Sequence, residues 1–337
     1  MRLSELLAYD NIVIQCHDNP DADAIASGFG LYRYFSYNGK NVIFAYSGHF
    51  MIKKSNLKLM VDELSIPIVY AINTRDVIEL LNHNGKARSI GLLITVDSQY
   101  GQGNLSSFKA ENIAIVDHHE VVGELPTLSE VRSNLGSCST IVWDMLRSEN
   151  YPVDEDEDLS TALYYGLLTD TNNFSDLHHV LDREMQDNLK VQSSIITQFR
   201  NSNISKEELS IAGDALKHAI FLDEYSTAIV AVKPCDPNVL GIVSDITLEV
   251  DSLDTVLAYS ILDSGVKISV RSCCRQDKAN EMAEYIAEEA GNGGGHIIKA
   301  GGFMKRELLE EQKIDYTPEA IGSYIYNRMV SYFESEK

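Results

Sequence analysis

The sequence predicts an α/β protein, with a mainly parallel sheet flanked by helices and a smaller C-terminal α/β domain. Short continuous apolar runs, Leu92–Val96 and Ile113–Val116, are of the kind that parallel strands buried on both faces display. Segments with helical spacing alternate with such runs between residues 11 and 170. At 337 residues, 44% hydrophobic and 23% charged, the chain is long enough for a large core and two domains.

The N-terminal ten residues read as a short amphipathic helix; Glu5 comes early and no long apolar core follows, unlike a signal peptide. Asn11–Cys16 is a strand with Val and Ile at its centre. Asp23–Asn38 carries Ala24, Ile25, Ala26, Phe29, Leu31, Tyr34 and Phe35 at helical spacing. Asn41–Tyr46 and Ile66–Tyr70 are further strands. Ser139–Glu149 is a helix with Ile141, Val142, Met145 and Leu146 on one side. The acidic run Asp154–Asp158 reads first as a solvated turn, and it also suits the start of the next helix, Leu159–Leu168. Asn201–Ser205 is a polar break in which Ser205 caps a helix over Lys206–His218. The expected division is a catalytic domain at 1–190, a helical linker at 191–219 and a substrate-binding domain at 220–337. Within the last, Thr227–Val232 and Val266–Arg271 are strands, Asn238–Val250 is helical or irregular, and Val256–Ser260 fits a strand or a buried helix turn equally. A helix over Asn280–Ala290 runs into Gly291–His296.

Fifty acidic against 28 basic residues give a net charge of −22. That field repels long duplex nucleic acid, whose binding requires neutralised phosphates, and shifts the expectation to small nucleotides or short oligonucleotides. No segment approaches the roughly 18 continuous apolar residues of a membrane span. Five cysteines without a Cys-x-x-Cys pair point to a reducing, cytoplasmic setting.

Four acidic or histidine clusters each close a predicted strand or helix: His17 with Asp21 and Asp23, then Asp97, then Asp117-His118-His119, then Asp170. Ligand groups in open parallel sheets gather outside the carboxyl ends of the strands. One such cluster reads as readily as a polar turn; four at successive edges supply what a two-metal hydrolytic centre needs. The i, i+2 spacing of Asp21 and Asp23 lets two carboxylates diverge toward neighbouring ions. Imidazole with carboxylate suits Mn²⁺ or Mg²⁺, and accommodates Zn²⁺, Co²⁺ or Fe²⁺. The chemistry implied is metal-dependent phosphoester hydrolysis.

The series His17-x-x-Pro20-Asp21-x-Asp23-Ala24-x-x-Ser27, Asp97, Asp117-His118-His119 and Gly166-Leu-Leu-Thr-Asp170-Thr171 resembles the DHH phosphoesterase superfamily. Val270-Arg271-Ser272, Gly293-Gly294-Gly295-His296 and Ala300-Gly301-Gly302 resemble its DHHA1 domain, and size and layout are similar to the NrnA-like group. The resemblance implies a DHH domain and a DHHA1 domain with the active site in the cleft between them. It implies two divalent ions, Mn²⁺ first, with Mg²⁺, Co²⁺ or others as alternatives. His17, Asp21 and Asp97 would hold one ion; Asp23, Asp97, His118 and Asp170 would hold the other, with Asp97 bridging. A bridge lets both ions activate one water and clamp the phosphoryl oxygens. Asp97, His118 and His119 would be catalytic, Asp117 orienting His118 and His119 facing the phosphate. Arg271, Gly293, Gly294, Gly295 and His296 would bind substrate.

Ala22 stands where family members usually have glycine, and Asn172-Asn173-Phe174 replaces a glycine-containing stretch; neither removes a ligand, and both bear on substrate choice. The glycine run lacks the Gly-Lys-Ser/Thr ending of a nucleoside-triphosphate cradle; it reads as a plain flexible turn or as a loop whose amides converge on an anion, Arg271 adding bidentate donors. Cys273-Cys274 reads as packing or a specificity variation. His49, after the second strand, and His178-His179 read as structural or solvent-facing, with the cleft rim as the alternative for His49. The activity expected is hydrolysis of nano-RNA or linear dinucleotides. The alternatives are a 3'-phosphoadenosine 5'-phosphate phosphatase, a cyclic-dinucleotide phosphodiesterase and a non-catalytic nucleotide-binding protein. A homodimer is compatible with all of them.

Overall fold

The computed structural model describes residues 1–48, 51–52, 55–82, 87–121, 123–202, 204–235, 237–274 and 276–335. His49, read as structural or solvent-facing with a cleft rim as the alternative, lies outside the described residues. The chain divides into two compact units, Met1–Ile204 and Ser205–Lys337.

The first unit runs α1 (Leu3–Leu6), β1 (Ile12–Cys16), α2 (Ala22–Tyr37), β2 (Val42–Tyr46), α3 (Ser55–Glu63), β3 (Ile68–Tyr70) and α4 (Thr74–Leu81). It continues with β4 (Leu92–Val96), β5 (Asn112–Asp117), β6 (Leu128–Val131), α5 (Cys138–Ser148), α6 (Glu157–Asp170), α7 (Val180–Asn188) and α8 (Ser193–Asn201). Its six strands form one sheet in the order β3-β2-β1-β4-β5-β6. Every neighbouring pair is parallel. Alternation along the strands sends Ile12, Ile14, Leu92 and Ile94 to one face, where they join the apolar residues of α2, α5 and α6. Val13, Ala45 and Leu93 point the other way, toward Val77 and Leu81 of α4. Side chains begin the helices that matter to the site: Asp21 accepts from the Ala24 amide at the start of α2, and Ser137 from the Thr140 amide at the start of α5. Asp156, inside the acidic run, caps α6 through the Leu159 amide.

The second unit opens with α9 (Lys206–Leu216), which Ser205 and Glu208 start with a reciprocal capping box. It continues with β7 (Ile220–Leu222), β8 (Thr227–Val232), α10 (Pro237–Leu248), β9 (Thr255–Leu262), β10 (Gly265–Ser272) and α11 (Ala279–Ala287). β11 (Gly291–Gly295), β12 (Lys299–Lys305), α12 (Arg306–Glu311) and α13 (Pro318–Ser335) complete it. The strand order is β11-β12-β10-β9-β8-β7, with β8 and β9 parallel and the other pairs antiparallel. One face packs on α11 and α13 through Ile268, Met282, Ile325 and Met329; the other packs on α9 and α10 through Ala212, Val230, Val243 and Val256. The ambiguous stretch Val256–Ser260 is therefore strand.

The glycine run corrects an expectation. It is not a loop gathered around an anion but an edge strand, laddered to β12 with Gly293 opposite Gly302 and Gly294 opposite Gly301. A Cβ on Gly293 would overlap the Ala283 carbonyl of α11, so the absent side chain allows strand and helix to touch. Among the described residues no helix is long and apolar enough to cross a membrane.

Candidate metal centre

β1 leads out to β2 and β3 on one side, and the chain returns to place β4 on the other side of β1. This reversal of strand order opens a crevice at the carboxyl ends of β1 and β4, the usual ligand position in such sheets. His17 follows β1, and Asp21 and Asp23 open α2. Asp97 follows β4, Asp117 ends β5 ahead of His118 and His119, and Asp170 is the last residue of α6.

These side chains meet. His17 Nε2 lies 3.7 Å from Asp97 Oδ2 and 4.0 Å from Asp21 Oδ2. His118 Nε2 lies 3.3 Å from Asp97 Oδ1, 3.1 Å from Asp170 Oδ2 and 4.0 Å from Asp23 Oδ2. Three groups have ligand atoms within 4.8 Å of one another: His17, Asp21 and Asp97; Asp23, His118 and Asp170; Asp97, His118 and His119. Asp97 belongs to two of them. Its backbone is left-handed, at φ +55°, while its amide still donates to Val116 of the β5 ladder at 3.0 Å. Non-glycine residues in that region carry a local cost that surroundings must hold in place.

The donor set fits divalent cations. Asp97 Oδ1 is buried beside two imidazoles and, among the described residues, accepts no hydrogen bond. Burial would lower the His17 pKa, yet the nearby carboxylates of Asp97 and Asp21 push it up to about 9. His118 is likewise held well above the usual imidazole range: burial opposes this, and Asp170 and Asp97 overcome it. Burial raises Asp23 well above the ordinary carboxylate range, with the charges of Asp97 and Asp170 adding to it. Carboxylates crowded this closely repel one another, and hard cations relieve that repulsion.

One expected contact is corrected. Asp117 does not orient the His118 ring. Its Oδ1 accepts from the His118 backbone amide at 2.9 Å and pairs with His119 Nδ1 at 2.8 Å, while His118 Nδ1 faces the Leu135 carbonyl at 3.3 Å. Asp117 therefore steers His119, whose side chain is 45% exposed and whose Nδ1 is 3.8 Å from Asp97 Oδ1. Gln99 donates to Asp117 Oδ2 at 2.9 Å. Sequence reasoning passed over Gln99 and also over Ser139, whose amide and hydroxyl both reach Asp23. The signal available for Ser139 was its place in Ser137–Thr140, at the start of a predicted helix.

The remaining candidates belong to the second unit. Arg271, the penultimate residue of β10, pairs with Lys299, and His296 begins the turn that leads to Lys299, so both sit at one end of that sheet. Arg271 is 8% exposed. Its Nε donates to Asp245 Oδ1 at 2.6 Å, and its Nη1 to Ser269 Oγ and the Val270 carbonyl, each at 3.1 Å. Of the two histidines read as structural, His179 caps α7 by accepting from the Leu181 amide. Cys273 and Cys274 are free thiols.

A parallel sheet with three His/Asp groups at its strand-order reversal has the architecture of a metal-dependent phosphoesterase. Residues 11–169 match the DHH family, N-terminal domain. Over this segment, a little under half of the chain, the fold is of the DHH type. It is 26% identical to the uncharacterized protein MJ1633 of Methanocaldococcus jannaschii over 86% of this chain and 57% of that one. It is 25% identical to the cyclic-di-AMP phosphodiesterase PdeA of Listeria monocytogenes over 92% of this chain and 47% of that one. It thus spans about half the length of these relatives. An exopolyphosphatase-related protein from Bacteroides fragilis shares the fold, with a TM-score of 0.71 and 18% identity over 96% of each chain.

Proposed function

We propose that this protein is a divalent-metal-dependent phosphoesterase that hydrolyses short nucleotide substrates such as nano-RNA or linear dinucleotides. The observation that carries the reading is Asp97, shared by two His/Asp groups and presenting a buried oxygen without a hydrogen bond. His17, Asp21 and Asp97 would hold one ion, and Asp23, Asp97, His118 and Asp170 the second, with Mn²⁺ the first choice and Mg²⁺, Co²⁺ or others also accommodated by mixed imidazole and carboxylate donors. Bound there, such ions lower the pKa of water and offset the charge that develops on phosphoryl oxygens. His119, steered by Asp117, stands at the exposed side of the site as a proton donor or phosphate contact. Arg271, fixed by Asp245 and Ser269, supplies guanidinium donors to a substrate phosphate, with Gly293, Gly294, Gly295 and His296 completing the substrate-binding unit. A net charge of −22 favours small substrates over long duplexes, and cytoplasmic action follows from the unpaired cysteines.

Similarity to PdeA supports cyclic dinucleotides as the second reading. The test is a Mn²⁺-loaded assay offering di- to pentanucleotides, cyclic dinucleotides, 3'-phosphoadenosine 5'-phosphate and pyrophosphate. Turnover fastest on linear dinucleotides and nano-RNA is expected. Preference for cyclic dinucleotides selects the second reading, and turnover of none of them overturns the assignment.

A further inference from the structure

Asp23 is held in an unusual way for a carboxylate among other carboxylates. It is wholly buried at the start of α2, and the N-terminus of α5, more than a hundred residues later, meets it end on. The Cys138 amide donates to Oδ2 at 2.7 Å and the Ser139 amide to Oδ1 at 2.9 Å. The Ser139 hydroxyl donates to Oδ1 as well, in a very short hydrogen bond. Both oxygens are thus fixed in direction, leaving Oδ2 turned toward His118 Nε2 at 4.0 Å. Three donors at the positive end of a helix thus converge on one carboxyl group.

Space for this contact comes from a third element. Gly166 of α6 faces the pair: a Cβ there would overlap Ser139 Oγ and lie 3.0 Å from Asp23 Oδ1. Ser139 and Asp23 are both 0% exposed, so the hydroxyl sits away from bulk solvent. The α5 terminus is itself anchored. Asp182 of α7 accepts from the Gly136 amide at 3.0 Å and from Thr140 Oγ1 at 2.7 Å, on either side of Ser139.

We propose that Ser139, in the space left by Gly166, is a positioning residue that holds the Asp23 carboxyl group in a fixed orientation for the ion shared with His118 and Asp170. This rests on the metal-centre reading above. Ser139 touches neither ion nor substrate in this role; it acts through Asp23.

The test uses the full chain and its Ser139→Ala and Ser139→Cys variants, the second keeping side-chain volume while replacing a strong donor by a weak one. Free Mn²⁺ is followed by electron paramagnetic resonance during titration. Kinetics on a linear dinucleotide are measured at limiting and saturating Mn²⁺, and melting is measured in EDTA. Wild type should bind two ions. In Ser139→Ala one ion should bind unchanged and the other roughly 10- to 100-fold more weakly, the usual effect of losing a partner that orients a ligand. Ser139→Cys should fall between. kcat at limiting Mn²⁺ should drop in the same order and recover as Mn²⁺ is raised, with KM for the dinucleotide little changed. Unchanged affinity for both ions in the variants, beside a wild type that binds two, overturns the role of Ser139 alone. A lower melting temperature in EDTA with both ion affinities intact also overturns it, reducing Ser139 to a structural contact. A wild type that binds no Mn²⁺ overturns the metal-centre reading and this role with it.

Discussion

Asp97 concentrates more of the site than any other residue: a left-handed backbone, a buried unsatisfied oxygen and membership of two His/Asp groups. Asp97→Asn should therefore remove turnover by more than the roughly 10- to 100-fold typical of residues that only support a ligand. Calorimetry with Mn²⁺ should show both binding events weakened, and near-normal turnover in metal-free-washed protein would contradict the bridging role. Asp117 and His119 should act as one unit, because the carboxylate's ring contact is to His119. Asp117→Asn should lower kcat/KM, and the double variant with His119→Ala should be no worse than His119→Ala alone; additive losses would separate them. The residue types of the site were legible because each follows an apolar run that had to be a buried strand or helix. Which imidazole Asp117 would address was not, since His118 and His119 are adjacent and only the rotamers, with Leu135 taking up His118 Nδ1, distinguish them.

At the scale of elements, continuous apolar runs translated directly: Leu92–Val96 and Thr227–Val232 are strands with those bounds. β6 was silent because it is an edge strand whose four residues are all half-buried, which leaves no apolar run. α4 and α13 show one apolar stripe each among exposed positions, and neither was assigned from the sequence. The glycine run misled because its composition is that of a turn, while its conformation is set by backbones pressed against it: Phe303 beside Gly291 and Ala283 beside Gly293. Gly293→Ala should accordingly destabilise the protein by about 1–3 kcal/mol, the range for forcing extra atoms into a packed contact. Chemical denaturation should show the loss, with Mn²⁺ affinity unaltered because every His/Asp group among the described residues lies in the first unit. Weakened Mn²⁺ binding in this variant would contradict that separation.

Across the whole molecule, chemistry and grip are assigned to different units, so they should separate in kinetics. Arg271→Ala leaves all the proposed metal ligands in place and removes a donor pair. It should lower kcat/KM on a dinucleotide by about ten- to a hundredfold, as loss of a charge-assisted hydrogen bond does. A minimal phosphodiester should be much less affected at saturating Mn²⁺. Equal, negligible effects on both substrates would assign the second unit a scaffolding role. Two domains, their α/β character and the acidic balance were legible from length, periodicity and charge. The Arg271–Asp245 pair was not, because it joins β10 to α10, which lie side by side only once the mixed sheet has formed.

The return of the chain to place β4 beside β1 has a kinetic consequence. Ile12 pairs with Leu92, and Asp97 reaches His17 only after β2 and β3 have been laid down between them. Contacts this distant in sequence close slowly and late, since loop-closure entropy must be met before they form. The ion site then has no counterpart in the transition state for folding. Mn²⁺ should slow unfolding in proportion to its concentration while leaving the refolding rate nearly unchanged, so that the metal acts as a latch on the finished fold rather than as a seed for it. Stopped-flow refolding and unfolding at several Mn²⁺ concentrations measures both limbs, and acceleration of refolding would show that the crevice is assembled early.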